Sequence, residues 1–555
     1  MPTRASPLRS ARFASGLCHA GNIAPMSTEP NPPPPFRPIA DLVREHARER
    51  PRHLAVAQGG EWLDYAALDR LMDRVAASLQ RDGLRPGLDS IALCAQASPR
   101  YAAVFLGALR AGIAVAPLAA SVTPASFASM LADARPRWLF ADASAREAFG
   151  DGAPPMPCIA LDDDADVGGL GDGASGAGVA STAFTAWLAD DNARPAPVEV
   201  KPEWPFNIIY SSGTTGTPKG IVQSHGMRWS HVERGATYGY DADTVTLLST
   251  PLYSNTTLVV FFPTLAFGGT VILMPKFEAG RYLALAEAHR VTHTMLVPVQ
   301  YQRLMAHPAF DRHDLGAFKT KFCTSAPFAA ALKADVLARW PGGLVEFYGM
   351  TEGGGTCILA AHEHPHKLHT VGQPAPGHDI RLIDDDGREL PAGATGEVVG
   401  HSGGMMIGYH RQPSKTAEAE WFDAAGKRFI RTGDIGRFDE DGFLVLMDRK
   451  KDLVISGGFN VYPSDLEAVL REHPAVAEAA VVGVPSVQWG ETPVAFVVRR
   501  AGTETSAETM MRWLNERVGK TQRLSALDFV DELPRSAIGK VLKRELRDGY
   551  VARGT

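Results

Sequence analysis

The stretch YSSGTTGTPKG, Tyr210 to Gly220, places Ser211, Ser212, Gly213, Thr214, Thr215, Gly216, Thr217 and Lys219 in one short run. Glycines let backbone N–H groups close on an anion, hydroxyls donate to it, and the lysine supplies charge. The chemistry that suits this set is the holding of phosphate. It is not the Walker arrangement, whose G-x-x-x-x-G-K-[ST] spacing puts the lysine directly after the second glycine. Here Thr217 and Pro218 separate Gly216 from Lys219. The preceding FNIIY reads as a buried strand, so the loop falls at a strand's carboxyl end, the usual ligand position in α/β folds.

Three further stretches carry chemistry. In FYGMTE, Tyr348 can stack on a base, Thr351 can donate to a phosphate and Glu352 can hold Mg²⁺. RTGDIG offers Asp434 in a glycine-flanked turn, and a fixed carboxylate is the usual partner of ribose hydroxyls. PRSAIGKVLKREL carries Lys540 directly after a glycine, in a loop. Other motifs fail their context. GDGASG (171–176) fits a dinucleotide fingerprint but lies in a stretch low in bulky residues, with neither strand before nor helix after. GHSGG (400–404) fits a nucleophile elbow around Ser402, but MMIGYH is too short to be the helix that must follow. GLDSI (87–91) looks like a carrier-domain attachment site, yet Ser90 enters a strand in a β-α-β run.

The elements that must position these residues are legible from periodicity. IADLVREHARER and DYAALDRLMDRVAASLQRDG are helical in period. SIALCAQ, SPRYAAVFLGALRAG and AVAPL follow in strand-helix-strand order, which implies a parallel sheet covered by helices. Residues 244–275 carry no charge, but Pro263 and Gly268–Gly269 interrupt them. A spanning helix wants about 20 mostly apolar residues, so the expectation is a buried helix, a glycine turn and a strand TVILM, with no membrane span. Beyond about residue 440 the texture changes. Charges gather around a short turn, then strands AEAAVVGV and PVAFVVRR flank the helix SAETMMRWLNERVG, with Thr505 and Glu508 as a candidate capping box. A net charge of −6 argues against a nucleic-acid partner. Five cysteines without a C-x-x-C pair argue against a zinc site and suit a reducing, cytoplasmic setting. Residues 1–25 hold Arg4, Arg9 and Arg12 with no acidic residue, a transit-peptide composition. The alternative is a start at Met26, preferred because nothing downstream demands an organelle. Residues 1–36 are in either case expected to be disordered.

The phosphate loop, YGMTE, TGD, DRKKDLVISGGFNVYPSDLE and PRSAIGK, in this order, resemble the adenylate-forming superfamily, in particular its acyl-CoA synthetase branch. The resemblance covers about residues 37–546. It implies an α/β fold: a large N-terminal domain (37–447) of parallel-rich sheets layered with helices, and a small α+β C-terminal domain (448–555) joined by a hinge. It implies an ATP-dependent ligase that joins a carboxylic acid to AMP with release of pyrophosphate, then transfers the acyl group to coenzyme A. The loop would hold the β- and γ-phosphates, Glu352 Mg²⁺, and Thr351 the α-phosphate. Tyr348 would stack on adenine, with Asp434 and Arg449 on the ribose. Lys540 would bridge the substrate carboxylate and the α-phosphate. Lys451 matches the hinge, and after rotation Gly457 and Gly458 would line the pantetheine tunnel.

The acyl pocket would be walled by Tyr253, Ser254, Asn255, Ser325, Ala326, Gly353 and Gly354, the glycines leaving space. Ser254 stands where the family often has a histidine, which puts gating of the carboxylate in doubt. Ser402 with its neighbours His401 and Gly403, and Ile538, also depart from the usual pattern. No basic residue near these positions awaits a second carboxylate, so an apolar monocarboxylic acid is expected: aromatic, alicyclic or fatty. A stand-alone ligase loading a separate carrier protein is the alternative; a non-catalytic nucleotide-binding regulator and a Ser402 hydrolase are more distant ones. A free-standing monomer or homodimer is expected.

Overall fold

In the computed structural model the described residues are 35–119, 123–148, 156–162, 181–211, 219–456, 459–536 and 539–554. Residues 1–34 of the N-terminal extension, most of the phosphate loop (Ser212 to Pro218), the Gly457–Gly458 pair, Ile538 and the GDGASG stretch lie outside them, whereas Phe36, expected to be disordered, packs edge-on against His225 and Trp229. Two large sheets form the body of Phe36–Thr555. One contains, side by side, Gly408–Tyr409, Lys219–Ser224, Pro205–Ser211, Ala114–Pro117, Ser90–Cys94, Trp138–Ala141, Cys158–Ala160 and Ser181–Ala183. It is parallel from Pro205–Ser211 outward to Ser181–Ala183 and antiparallel at the other edge. The second has a parallel centre of Gly343–Gly349, Thr320–Cys323, His293–Leu296, Val245–Leu248, Thr270–Leu273 and Leu54–Gln58, with antiparallel strands at both edges.

Between the sheets lie helices that are apolar on every side. Every residue of Pro99–Arg110 except Arg100 is buried, and so are ten positions of Asn255–Ala266. A helix without a polar face is stable only where protein covers it all round, and here one apolar core joins these helices to strands of both sheets. Ser98 caps the first of them by accepting from the Tyr101 N–H. The uncharged stretch therefore resolves as expected, into the helix Asn255–Ala266, a turn at Gly268 and the strand Thr270–Leu273. Among the described residues no helix is long and apolar enough to cross a membrane.

A smaller antiparallel sheet follows: Asp379–Ile383, Gly396–His401, Arg428–Phe438 and Glu420–Phe422, with Leu444–Arg449 also paired to Arg428–Phe438. After the turn at Lys451–Asp452 comes a separate sheet. It is built on the long hairpin of Val476–Ser486 and Gly490–Arg499, with Val454–Ser456, Phe459–Val461 and Ala526–Phe529 beside it. Its apolar clusters begin at Val454, and those of the preceding sheets end at Leu446. One expectation needs correcting. The helix Ala507–Asn515 is capped by Ser506, whose hydroxyl accepts from the Thr509 N–H at 3.1 Å, not by a Thr505–Glu508 box. Ser506 takes the role because it has the extended backbone a cap needs immediately before the first helical residue.

Candidate active site

The parallel strands of both large sheets run out at one cleft of about 1700 Å³. Ala114–Pro117 delivers Pro117 and Leu118, Thr320–Cys323 leads into Thr324 and Ser325, and Gly343–Gly349 leads into Met350, Thr351 and Glu352. Lys219, Asp434, Arg449, Lys451 and, from beyond the turn, Lys540 close the other walls. Residues 321 positions apart in sequence, Lys219 and Lys540, thus face one space.

Four cations meet here, and their mutual repulsion is visible. Burial first, then Arg449 and Lys451, push the Lys540 ammonium down to about 8, while Asp434 and Asp452 oppose the shift. Lys451 is lowered too, by burial and then by Arg449, with Lys219 adding to it. Like charges crowded in a half-buried cleft raise the energy of the empty site and favour a polyanion that spreads among them. Lys540 is carried on a tight loop in which its N–H donates to Ser536 Oγ (3.2 Å) and its carbonyl accepts from the Ser536 N–H (2.8 Å). Gly539, at φ +76°, brings that loop so close to the large sheets that a Cβ there would lie 2.8 Å from Val299 Cγ1.

The carboxylates are held in defined orientations. Asp434 and Arg449 are cross-strand partners, with Arg449 Nε 3.2 Å from Asp434 Oδ1. The Tyr348 hydroxyl donates to Asp434 Oδ2 at 2.9 Å, and burial followed by the Asp434 charge raises the Tyr348 pKa. Glu352 Oε1 accepts from the Tyr409 hydroxyl at 2.8 Å, and Lys219 Nζ lies 4.9 Å above the Tyr409 ring. Among the described residues Glu352 has no ion-pair partner, and it lines the cleft. That donor is the kind a hard divalent cation takes, and it fits Mg²⁺. Tyr409 was not foreseen; it lies in the MMIGYH run after the failed elbow motif.

Behind Thr351 sits a buried polar network that sequence reasoning also missed. Gln223 Nε2 donates to the Thr351 carbonyl (2.6 Å) and to Asn255 Oδ1 (3.3 Å). Asn207 and Arg228 both donate to Gln223 Oε1, and Arg228 Nε also donates to Asn207 Oδ1. Burial lowers the Arg228 pKa to about 9. The signal was present: Asn207 lies inside the apolar run PFNIIY and Gln223 directly after the apolar IV, and buried amides need partners.

On the acyl side, Tyr253, Ser254, Asn255 and Ser325 line the cleft as expected, and Thr256 Oγ1 lies 2.6 Å from Ser325 Oγ. Ser325 adopts φ +81°, a conformation that side-chain-bearing residues reach only under constraint. Ala326 is not on the wall. The glycines behave differently from expectation. A Cβ on Gly353 would lie 2.1 Å from the Gly404 carbonyl oxygen, one on Gly354 2.6 Å from Ile430 Cβ, and one on Gly355 2.4 Å from Ile380 Cδ1. They admit the neighbouring sheet, and leave no open space. A second correction concerns charge: His231 and Arg234 line the cleft. Ser402 is structural here, buried, donating to the Gly353 carbonyl at 2.7 Å and accepting from the Gly404 N–H at 3.1 Å.

Comparison with known proteins matches this arrangement. The chain is 33% identical over 517 residues to a feruloyl-CoA synthase of Amycolatopsis sp, covering 90% of this chain and 96% of that protein. It is 32% identical over 529 residues to the fatty acid–[acyl-carrier-protein] ligase ScoC of Streptomyces coeruleorubidus, covering 93% and 97%. The crystal structure of ATP-bound MatB from Rhodopseudomonas palustris superposes with a TM-score of 0.79 at 30% identity, covering 92% of this chain and 99% of that one. The AMP-binding enzyme profile matches residues 43–410 and the AMP-binding enzyme C-terminal domain profile residues 465–540; the chain belongs to the AMP-binding, adenylate-forming enzyme family.

Proposed function

We propose that this chain is an ATP-dependent carboxylic acid–CoA ligase. An oxygen of the acid attacks the α-phosphorus of ATP, the bond to the β-phosphate breaks, and pyrophosphate leaves. The coenzyme A thiol then attacks the acyl carbon and AMP leaves. The observation that carries this reading is the convergence of Lys219, Arg449, Lys451 and Lys540 on one cleft beside Asp434 and Glu352. A site of that composition neutralises a triphosphate while fixed carboxylates orient the sugar and a metal. Catalysis of this step is positioning and charge stabilisation, which preorganised groups supply without reorganising.

In this reading Asp434, aligned by Tyr348 and Arg449, accepts the ribose hydroxyls. Thr351, braced by Gln223, donates to the α-phosphate, and the loop Ser211 to Lys219 holds the leaving phosphates. Glu352, steadied by Tyr409, would hold Mg²⁺, which supplies charge neutralisation when bound. Lys540 places the acid's carboxylate against the α-phosphate. Residues 37–447 and 448–555 form the two domains, and rotation about Lys451 would exchange the Lys540 loop for Gly457 and Gly458. The substrate is an acid with an apolar body, which the cleft walls Val259, Val260, Phe322 and Phe347 suit. Four described cysteines are free and buried, which supports a reducing cytoplasmic setting.

The test is AMP release from MgATP across aliphatic, alicyclic and aromatic acids, each with and without coenzyme A. CoA-dependent AMP together with a thioester product is the expected result. Adenylate that coenzyme A cannot discharge would replace CoA with a carrier protein as acceptor, the reading that the likeness to the acyl-carrier-protein ligase favours.

A further inference from the structure

Arg234 has no counterpart in the two-step chemistry, yet it stands on the cleft wall. It follows the helix His225–Glu233 and opens the short turn Arg234–Tyr238. Its Nε donates to the Ser230 carbonyl at 3.1 Å. Among the described residues it has no ion pair and no other hydrogen bond, so the two amino groups of its fork are left to the cleft it lines. Burial lowers its pKa, and Glu233 and Tyr238 are the groups that oppose the shift. His231 beside it has a buried Nδ1 without a partner, and burial, Arg234 and Arg228 keep its imidazole neutral. His378, held neutral in the same way, accepts from the Thr356 N–H.

This end of the cleft is distinct from the phosphate end. The titratable neighbours of Arg234 are Glu233, Tyr238, His231 and His378, of which Glu233 is the acid, whereas the charged neighbours of Lys540 are Arg449, Lys451, Asp434 and Asp452. The same cleft has an aromatic wall. Phe322 and Phe347 stack at 5.5 Å, and Tyr238 meets both edge-on at 5.3 and 5.6 Å. A flat apolar body fits such a surface, and a guanidinium fork at its end calls for an oxygen. Resting on the ligase reading above, we propose that the acid activated here has a ring body carrying an oxygen acceptor remote from its reacting carboxylate, and that Arg234 receives that oxygen and sets the preference for it. The acceptor is a phenolic or carbonyl oxygen or a second carboxylate; all present lone pairs to the same two N–H groups. A site built to bond a substrate oxygen discriminates strongly against the analogue lacking it, because its own polar groups are then left unpaired.

The experiment compares kcat/KM for AMP release with the full chain, MgATP and coenzyme A on three acids of one skeleton: 3-phenylpropenoate, its 4-hydroxy derivative and its 4-carboxy derivative. At least one oxygenated acid is expected to exceed the parent by about tenfold or more. The 4-hydroxy or the 4-carboxy arm leading identifies the acceptor as neutral or anionic. Arg234→Leu should bring the ratio to near one, chiefly through KM for the oxygenated acid, and Arg234→Lys should restore part of it. Melting midpoints establish that the variants fold, and Arg234→Gln replaces the leucine variant if that one does not. A wild-type preference for the parent, or a ratio that survives loss of the guanidinium, overturns the proposal while AMP release itself upholds the ligase. AMP release from no acid, including the aliphatic ones, overturns both.

Discussion

Lys540 is charged only below the pH at which its crowded ammonium loses a proton, about 8 in the free enzyme. The sign follows directly: as pH rises through that value the cation disappears and acyl-adenylate formation should weaken. Acid-dependent pyrophosphate exchange should therefore show a falling limb in kcat/KM near pH 8. Lys540→Arg, which stays charged, should move the limb upward; an unmoved limb would assign the titration to another group. Lys540→Ala should cost adenylation about 10²–10³-fold yet spare thioester formation from supplied acyl-adenylate. Equal loss of both steps would end the assignment of Lys540 to the first. Tyr409 is a subtler case. Its hydroxyl fixes one oxygen of Glu352, and loss of such a support typically weakens metal binding 10–100-fold. Tyr409→Phe should raise the Mg²⁺ concentration needed for half-maximal AMP release by about tenfold. An unchanged requirement would separate Tyr409 from the metal.

Packing between elements explains the glycines. Gly353 takes φ +75°, and a methyl there would press into the Gly404 backbone, so both conformation and space exclude a side chain. Gly353→Ala should destabilise by about 2 kcal/mol or more, read from the denaturant midpoint. Ser506→Ala removes one cap from a helix at the molecule's periphery and should cost about 1 kcal/mol. If the glycine variant proved the milder, the close approach of the two loops at Gly353 and Gly404 would not be a stabilising contact. The same contact explains why the glycine run cannot serve as acyl space.

At the level of the whole molecule, the two sides of the turn at Lys451–Asp452 should respond oppositely to substitution. Gly539→Val enlarges the loop where it approaches Val297 and Val299, so it should hinder docking of Lys540 and slow adenylation more than thioester formation. Lys451→Pro stiffens the turn and should slow the thioester step more than adenylation. Parallel half-reaction assays read both, and a reversal of the pattern would misplace the hinge.

Much was legible in the chain itself. Strand-helix-strand order, the glycine turn after Asn255–Ala266 and the strands of the last hundred residues follow from local periodicity and turn chemistry, which act over a few residues. The residue types around Lys219, Glu352 and Asp434 were enough to point to a nucleotide, because each short motif is made of adjacent residues; the acid and the role of Lys540 came from the resemblance that the ordered motifs carry. Partners hundreds of residues apart were not legible. Tyr409 on Glu352, Gln223 under Thr351, the glycines pressed against Gly404 and Ile430, and the open fork of Arg234 exist only once two sheets close on one another. Sequence alone determined the elements, since periodicity is local, and pointed to the reaction class through the resemblance of its ordered motifs to one family. Tertiary structure alone decided which charges share the cleft and which space the acid is offered, since those depend on burial and on distances that no spacing along the chain encodes.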